Sequence, residues 1–273
     1  MSSISLLIGH IINFLIAFRA YKKRSLTLSG SIAAFILGAL LLSTSGIYGF
    51  SLALVFFISS SALTKYRLSY KKSSVELRFE KSGTRDMYQV IANGGVALLF
   101  SILYFLYQKE VFLIALAVAF ATTNADTWAT ETGVLSGREP LFLRNFRRVP
   151  RGTSGAVSLR GSIFAFLGSS LVALTAVSGI YLLKVIVSLE RLFLIFIVIS
   201  AGGFIGSFVD SFLGAFVQGI YFSEIIGETE KRFYNGVENK LIRGLKFINN
   251  DVVNFLSSFA ASLLVFFIVW RIL

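Results

Sequence analysis

The sequence predicts an all-α, polytopic membrane protein with about eight transmembrane helices, and three observations carry that prediction. First, the 273 residues are 55% hydrophobic, include 28 Phe and have a mean hydropathy of +0.77, far from a soluble chain of this size. Second, the apolar residues lie in continuous runs near the ~20 residues that a roughly 30 Å hydrocarbon core requires of a helix. Backbone groups in lipid must be satisfied internally, and a closed barrel would show short alternating segments instead. Third, the positive charges sort sharply by loop.

The apolar segments fall at 4–18, 29–44, 47–64, 87–107, 111–128, 161–183, 192–218 and 251–270. The first has no small-residue cleavage site after it and is followed by Arg19, Lys22, Lys23 and Arg24, so it reads as a membrane helix and not a removed signal peptide. Four connections are long and basic: 19–28, 65–86, 129–160 and 219–250. The others, around Ser45, Lys109 and Ser188, are short and almost uncharged. The long loops hold 22 of the 26 Lys and Arg, leaving Lys109, Lys184, Arg191 and Arg271 on the other side. The positive-inside rule then places the four loops in the cytoplasm and both termini outside. The chain reads as one transmembrane domain, 1–273, without internal repeats. Its +12 charge follows from topology and anionic headgroups, so no nucleic-acid partner is implied.

A charge at the bilayer centre costs about 2.5–3.5 kcal/mol on insertion scales, so intramembrane polar residues point to function. Asn124 and Asp126 end the fifth span, Asp210 lies well inside the seventh, Asn93 enters the fourth, and Asn250, Asp251 and Asn254 open the eighth. Ser59, Ser60, Ser61 and Thr64 close the third. By the predicted topology all of them lie in the cytoplasmic half. Gly206, Asp210 and Gly214 form one i, i+4, i+8 ridge, which turns Asp210 toward a packed interior. The plainer reading of this ridge is helix packing with a hydrogen-bonded Asp.

The stretch RRVPRGTSGAVSLRGS, 147–162, sets Arg148 and Arg151 before Gly152, Thr153, Ser154 and Gly155, and Ser158 before the sixth span. A helix N-terminus with flanking glycines and arginines suits a phosphate; an ordinary basic cytoplasmic loop would also satisfy the topology rule. KSGTRD, 81–86, brings Lys81 and Arg85 to the fourth span in the same way. Carboxylates beside such a loop would repel the ligand unless a cation intervenes. Mg²⁺ takes one or two carboxylates together with substrate phosphates. Asp126, Asp210 and Glu131 are the candidate metal ligands and catalytic carboxylates. Glu131 shares a face with Asp126 only if the fifth helix ends near Thr130, and the alternative for both is a helix-end network or an arginine pair.

Several classes are excluded. There is no Cys, and His10 is the single histidine, which removes thiolate chemistry and HExxH-type metal sites. No GxxxxGK[ST] occurs, and the protein-kinase loops are missing.

NADTWATETGVLSG, followed by RRVPRGTSGAVSLRGS, closely resembles the signature of the DUF92/TMEM19 family of integral membrane proteins. SLTLSGSIAAFILG (25–38), FFISSSALTKYR (56–67), RDMYQVIANGG (85–95), GSFVDSFLGAFVQ (206–218) and NNDVVNFLSS (249–258) extend the resemblance over nearly the whole chain. That family includes a plant phytyl-phosphate kinase, which transfers a phosphoryl group from a nucleoside triphosphate to an isoprenyl monophosphate. A more distant likeness to phytol and dolichol kinases and CDP-diacylglycerol synthases implies CTP and Mg²⁺. Arg-Gly-Thr-Ser stands here where those enzymes carry a basic Lys-Ser element, which leaves CTP, UTP or ATP open. The resemblance implies an integral membrane enzyme, in the cell membrane if the source is prokaryotic, and the charge topology turns its site toward the cytoplasm.

The expected activity is thus an isoprenyl monophosphate kinase of phytyl or geranylgeranyl type, CTP favoured, with Mg²⁺ as cofactor and the bilayer around it. Arg148, Arg151, Gly152, Thr153, Ser154, Gly155 and Ser158 would hold phosphate, with Lys81 and Arg85 as further contacts. Asn124, Asn93, Asn250 and Asn254 would orient ligand or carboxylates. The alternatives are a cytidylyltransferase making a CDP-lipid, and a transporter of lipid or phosphorylated solute, which would need polar residues toward both faces. A homodimer is compatible with the sequence but not written in it. The 65–86 and 219–250 loops are candidates for helices lying on the membrane, the latter on its amphipathic character.

Overall fold

All eight apolar segments form helices in the computed structural model, which describes residues 3–70, 78–81 and 83–272. They are α1 (Ser3–Lys22), α2 (Leu28–Thr44), α3 (Gly46–Tyr70), α4 (Met87–Tyr107), α5 (Glu110–Gly133), α6 (Leu159–Leu182), α7 (Leu189–Phe216) and α8 (Asn250–Ile272). Seven are long and apolar enough to cross a membrane, and α2 is a shorter apolar helix. The starts are set by local chemistry. Thr27 accepts from the Gly30 N–H at α2, and Ser158 does the same for Gly161 at α6. Asp86 and Gln89 close a reciprocal capping box at α4.

Hydropathy ends three helices early. α1 continues to Lys22, α3 to Tyr70 and α5 to Gly133, so Arg19, Lys22, Lys65, Arg67 and Glu131 are helical and not loop residues. A helix need not stop where the apolar residues do, because beyond that point buried polar partners take over from the lipid-facing side chains.

The bundle is built around α5. Every residue from Val111 to Ala125 is buried, and α5 packs on α3, α4, α6, α7 and α8. Small residues permit this crowding. A side chain on Gly203 would strike Ala121, and one on Gly206 would strike Thr122. The predicted α7 ridge thus packs against α5, and Asp210 on it is 7% exposed. α1 packs chiefly on α2, at the edge of the bundle.

The described parts of the long loops lie at one end. Arg85 pairs with the α1–α2 turn through Ser25 and Thr27, Ser154 bonds Gln218, and Glu230 N–H donates to the Arg78 carbonyl. The opposite end carries a small hydroxyl cluster of Thr44, Ser45 and Ser101, and Lys109 lies 4.0 Å over the Trp270 ring.

The 129–160 and 219–250 loops hold short antiparallel strands. β1 (Leu141–Phe142) pairs with β2 (Ala156–Val157). In the 219–250 loop, β3 (Ile220–Ser223) lies between β4 (Gly227–Thr229) and β7 (Lys240–Arg243), and β5 (Phe233–Tyr234) pairs with β6 (Val237–Glu238). The membrane-lying helix that the amphipathic character of that loop allowed is therefore not formed there. Asn235 and Gly236, both at positive φ, form a tight two-residue hairpin turn between β5 and β6. In the 65–86 loop, residues 65–70 complete α3, residues 71–77 and 82 lie outside the described residues, and no helix occurs among 78–81 and 83–86.

Candidate functional site

A cavity of about 220 Å³ opens at the loop-bearing end, between the ends of α3, α5 and α7 and the starts of α4, α6 and α8. Asp126 comes from α5 and Asp210 from α7, and their carboxyl groups are in hydrogen-bond contact. Two carboxylates so close must share a proton or a cation. Ser257 of α8 donates to Asp210 Oδ2 at 2.8 Å and orients it. One turn earlier, the Asn254 Oδ1 is buried and accepts no hydrogen bond among the described residues. A buried acceptor left open beside a carboxylate pair suits a site built for something further.

The opposite wall is the 151–158 loop. Gly152 and Gly155 both adopt positive φ, and a side chain on Gly155 would run into the Ala215 backbone. The glycines therefore let the loop fold flat against the end of α7. Thr153 is turned back onto the Pro150 carbonyl at 2.8 Å, and Ser154 donates to Gln218 Oε1 at 2.7 Å. Arg151 lines the cavity with no hydrogen-bond or ion-pair partner among the described residues. Arg243, from β7, fastens this wall: it donates to the carbonyls of Gly214 and Ala215 at 2.8 and 2.7 Å and pairs with Glu228 at 3.0 Å. An arginine on the last carbonyls of α7 also complements its negative end.

The structure sorts the sequence candidates into three groups. Asp126, Asp210, Asn93, Asn250, Asn254, Arg85, Arg151 and the residues from Gly152 to Ser158 all line the one cavity. Glu131 and Lys81 line it too, but each is already engaged. Glu131 meets Arg67 at 2.5 Å and accepts from Thr64 at 2.7 Å. Lys81 bridges Asp251 and Asp86, at 2.5 and 2.9 Å. These carboxylates lift Lys81 above its ordinary value, although burial works against its charge. Asn124 and Arg148 do not reach the cavity. Asn124 is fully buried, donating to the Gly168 carbonyl and accepting from Ser59, so it crosslinks α5 to α6 and α3. Arg148 donates to the Glu139 carbonyl at 2.9 Å on the outer side of the loop. Ser158 is spent as the α6 cap.

Arg67, Glu80, Glu230 and Asp251 join the cavity without having been singled out as site residues. Arg67 and Asp251 look in sequence like one more basic loop residue and one more helix-start acid. Glu230 follows β4, accepts from Gln218 at 3.0 Å and from the Glu80 N–H at 3.1 Å, and faces Asp210 and Glu80. Burial pushes its carboxyl up to about 7, with Glu80 and Asp210 adding to the effect. Burial raises Glu80 as well.

Among the described residues no three of His, Cys, Asp and Glu form a self-sufficient metal cage. Mg²⁺ asks for less: one or two carboxylates, with phosphate oxygens and waters completing the shell. The paired Asp126 and Asp210 fit that demand.

The model for the integral membrane protein family DUF92 matches residues 11–262. The chain belongs to the DUF92 family. Similar proteins occur in distant organisms. Protein PGR of Arabidopsis thaliana is 33% identical over 95% of this chain and 94% of its own length. A membrane protein of Methanocaldococcus jannaschii is 30% identical over 79% of this chain and 84% of its own. Protein VTE6, chloroplastic, of Arabidopsis thaliana is 29% identical over 85% of this chain and 61% of its own. No solved structure matches the chain.

Proposed function

We propose that this DUF92 protein is a membrane-embedded phosphotransferase that converts an isoprenyl monophosphate to the diphosphate at the expense of a nucleoside triphosphate, CTP favoured. One observation carries the reading: the Asp126–Asp210 pair, the arginine–glycine loop and Arg85 wall a single cavity at the loop-bearing end of an apolar bundle. The family resemblance supplies the substrate class. By the positive-inside rule this end faces the cytoplasm, where nucleotides are.

Phosphoryl transfer needs positioning and charge neutralisation more than covalent help. An oxygen of the acceptor phosphate forms the new bond to the terminal phosphorus as the bond to the bridging oxygen breaks, and nucleoside diphosphate leaves. The acceptor is anionic at neutral pH, so no strong general base is required. Arg151 is the free cation for the nucleotide phosphates, and the glycines beside it let backbone N–H groups approach them. Asp126 and Asp210 would hold Mg²⁺, which would supply the positive charge that offsets the phosphates. Ser257 keeps Asp210 aimed, and Asn254 is the open acceptor next to it.

Purified protein in detergent, given Mg²⁺, CTP, UTP or ATP and geranylgeranyl or phytyl monophosphate, tests the proposal. Nucleoside diphosphate and isoprenyl diphosphate are the expected products. Pyrophosphate and a CDP-lipid would make it a cytidylyltransferase. Solute movement across vesicles without nucleotide turnover would make it a transporter.

A further inference from the structure

A second cavity, of about 80 Å³, lies between α1, α2, α3 and α4, against the side of α5. That is several times the ~10–15 Å³ that a single water needs. Its walls are almost wholly apolar, with Phe50, Ala53 and Phe57 from α3, Leu37 from α2, Ala17 from α1 and Phe120 from α5. Along α3 it runs from Phe50 to Phe57, roughly 10 Å at ~1.5 Å per residue. Alanines on three sides of it keep the slot open where larger side chains would fill it. Its polar residues are three. Asn13 is occupied by the Phe35 carbonyl at 2.8 Å. The other two, Arg85 and Asn93, also line the carboxylate cavity, so the slot and that cavity share a wall.

Arg85 is the informative residue of that wall. Its guanidinium donates to Ser61 at 2.9 Å and Ser60 at 3.0 Å and lies over the rings of Phe56 and Phe57, at 5.7 and 5.9 Å. No carboxylate among the described residues forms an ion pair with it. Burial pulls Arg85 below the ordinary arginine value, with the Glu131 charge opposing. A half-buried cation held by hydroxyls and rings alone calls for an anion. Its backbone is tied at both N–H and C=O to the α1–α2 turn, through Ser25 and Thr27, so the cation and that end of the slot form one unit.

We infer that this slot seats the phosphate-proximal part of the acceptor's isoprenyl tail, with Arg85 at its mouth taking the acceptor phosphate. The inference rests on the proposed function for the identity of the acceptor. It adds the path: an amphiphile whose anionic head sits at Arg85 and whose apolar chain lies between α1–α2 and α3–α4. That places the head on the shared wall, from which it faces the Asp126–Asp210 cavity. A free phosphate would leave the apolar slot unused, and a tail without a phosphate would leave the cation unanswered.

The test reads binding, so its outcome is separate from turnover. A geranylgeranyl monophosphate bearing a diazirine on its tail is photolysed with the full-length protein in detergent, and adducts are mapped by mass spectrometry. Labelling is expected on α2 and α3 around Leu37, Phe50 and Ala53, abolished by unlabelled geranylgeranyl monophosphate. Ala53→Phe should weaken that competition at least tenfold and leave competition by dimethylallyl monophosphate, which has a five-carbon tail, at the Arg85 end unchanged. If Ala53→Phe does not fold, Ala34→Leu, on the α2 wall, serves the same purpose. Arg85→Gln should remove the preference for the phosphate over geranylgeraniol. Adducts confined to other helices, or equal competition by bilayer phospholipid, would overturn the assignment. Competed slot labelling in a protein that transfers no phosphoryl group would sink the kinase reading and leave the slot standing.

Discussion

Asp126 and Glu131 lie five residues apart on α5, yet they have different surroundings. Asp126 meets another carboxylate, whereas Glu131 is closed off by Arg67 and Thr64. Asp126→Asn and Asp210→Asn should each lower phosphoryl transfer by about two orders of magnitude or more, as loss of a preorganised charge group does. Their melting in detergent should stay near wild type; a wild-type rate would remove that residue from the site. Arg67→Met should instead cost roughly 3–5 kcal/mol of stability, the penalty for stranding one partner of a buried pair. Denaturation monitored by Trp fluorescence reads this, and adding Glu131→Gln should recover part of it. Arg151→Ala removes charge-assisted contacts and should raise the nucleotide KM about tenfold or more without changing stability. Sequence pattern found Asp126, Asp210 and Arg151 because a charge next to an apolar run, or an arginine among glycines, is conspicuous. It could not tell Arg148 from Arg151, or Asn124 from Asn93, because one turn of backbone decides which side chain meets the cavity.

At the scale of elements, the spans were legible and the loops were not. Hydropathy finds a helix that must satisfy its backbone in lipid. The 219–250 segment lies outside that constraint, and its pairing depends on contacts with α7 and the 151–158 loop. One local signal was nevertheless present: Asn235-Gly236 between Tyr234 and Val237 is a hairpin turn by composition. Gly155→Ala should cost about 2–4 kcal/mol, from the left-handed backbone and the collision with Ala215. The 219–250 loop also carries a pH dependence through Glu230. Its folded value, about 7, stands above the ordinary 4.5, so the folded state binds the proton more tightly. Stability should therefore fall as pH rises from about 4.5 to about 7, and level off above. Glu230→Gln should flatten that slope, and a thermal-melt series across this range would show whether it does.

For the whole molecule, the described parts of the four long loops meet at one end, and three of them line one polar cavity, in keeping with the charge asymmetry of the sequence. The orientation of that end is open to direct measurement because the chain has no cysteine. A single cysteine at Glu224, in the 219–250 loop, should react with an impermeant maleimide only from the cytoplasmic side. One at Val187, in the short α6–α7 connection, should react only from outside. The reverse pattern would invert the topology and remove the cavity from the nucleotide pool.

The enclosure of α5 bears on how the chain is made. α5 leaves the ribosome before α6, α7 and α8, the helices that go on to surround much of it, so it first meets the bilayer with Asp126 unsheltered and Asn124 without its α6 partner. Insertion of this segment is then a late event tied to synthesis of the C-terminal half. A chain truncated after residue 145 and released from the ribosome should leave α5 loosely held and extractable, and the chain through α8 should hold it in place.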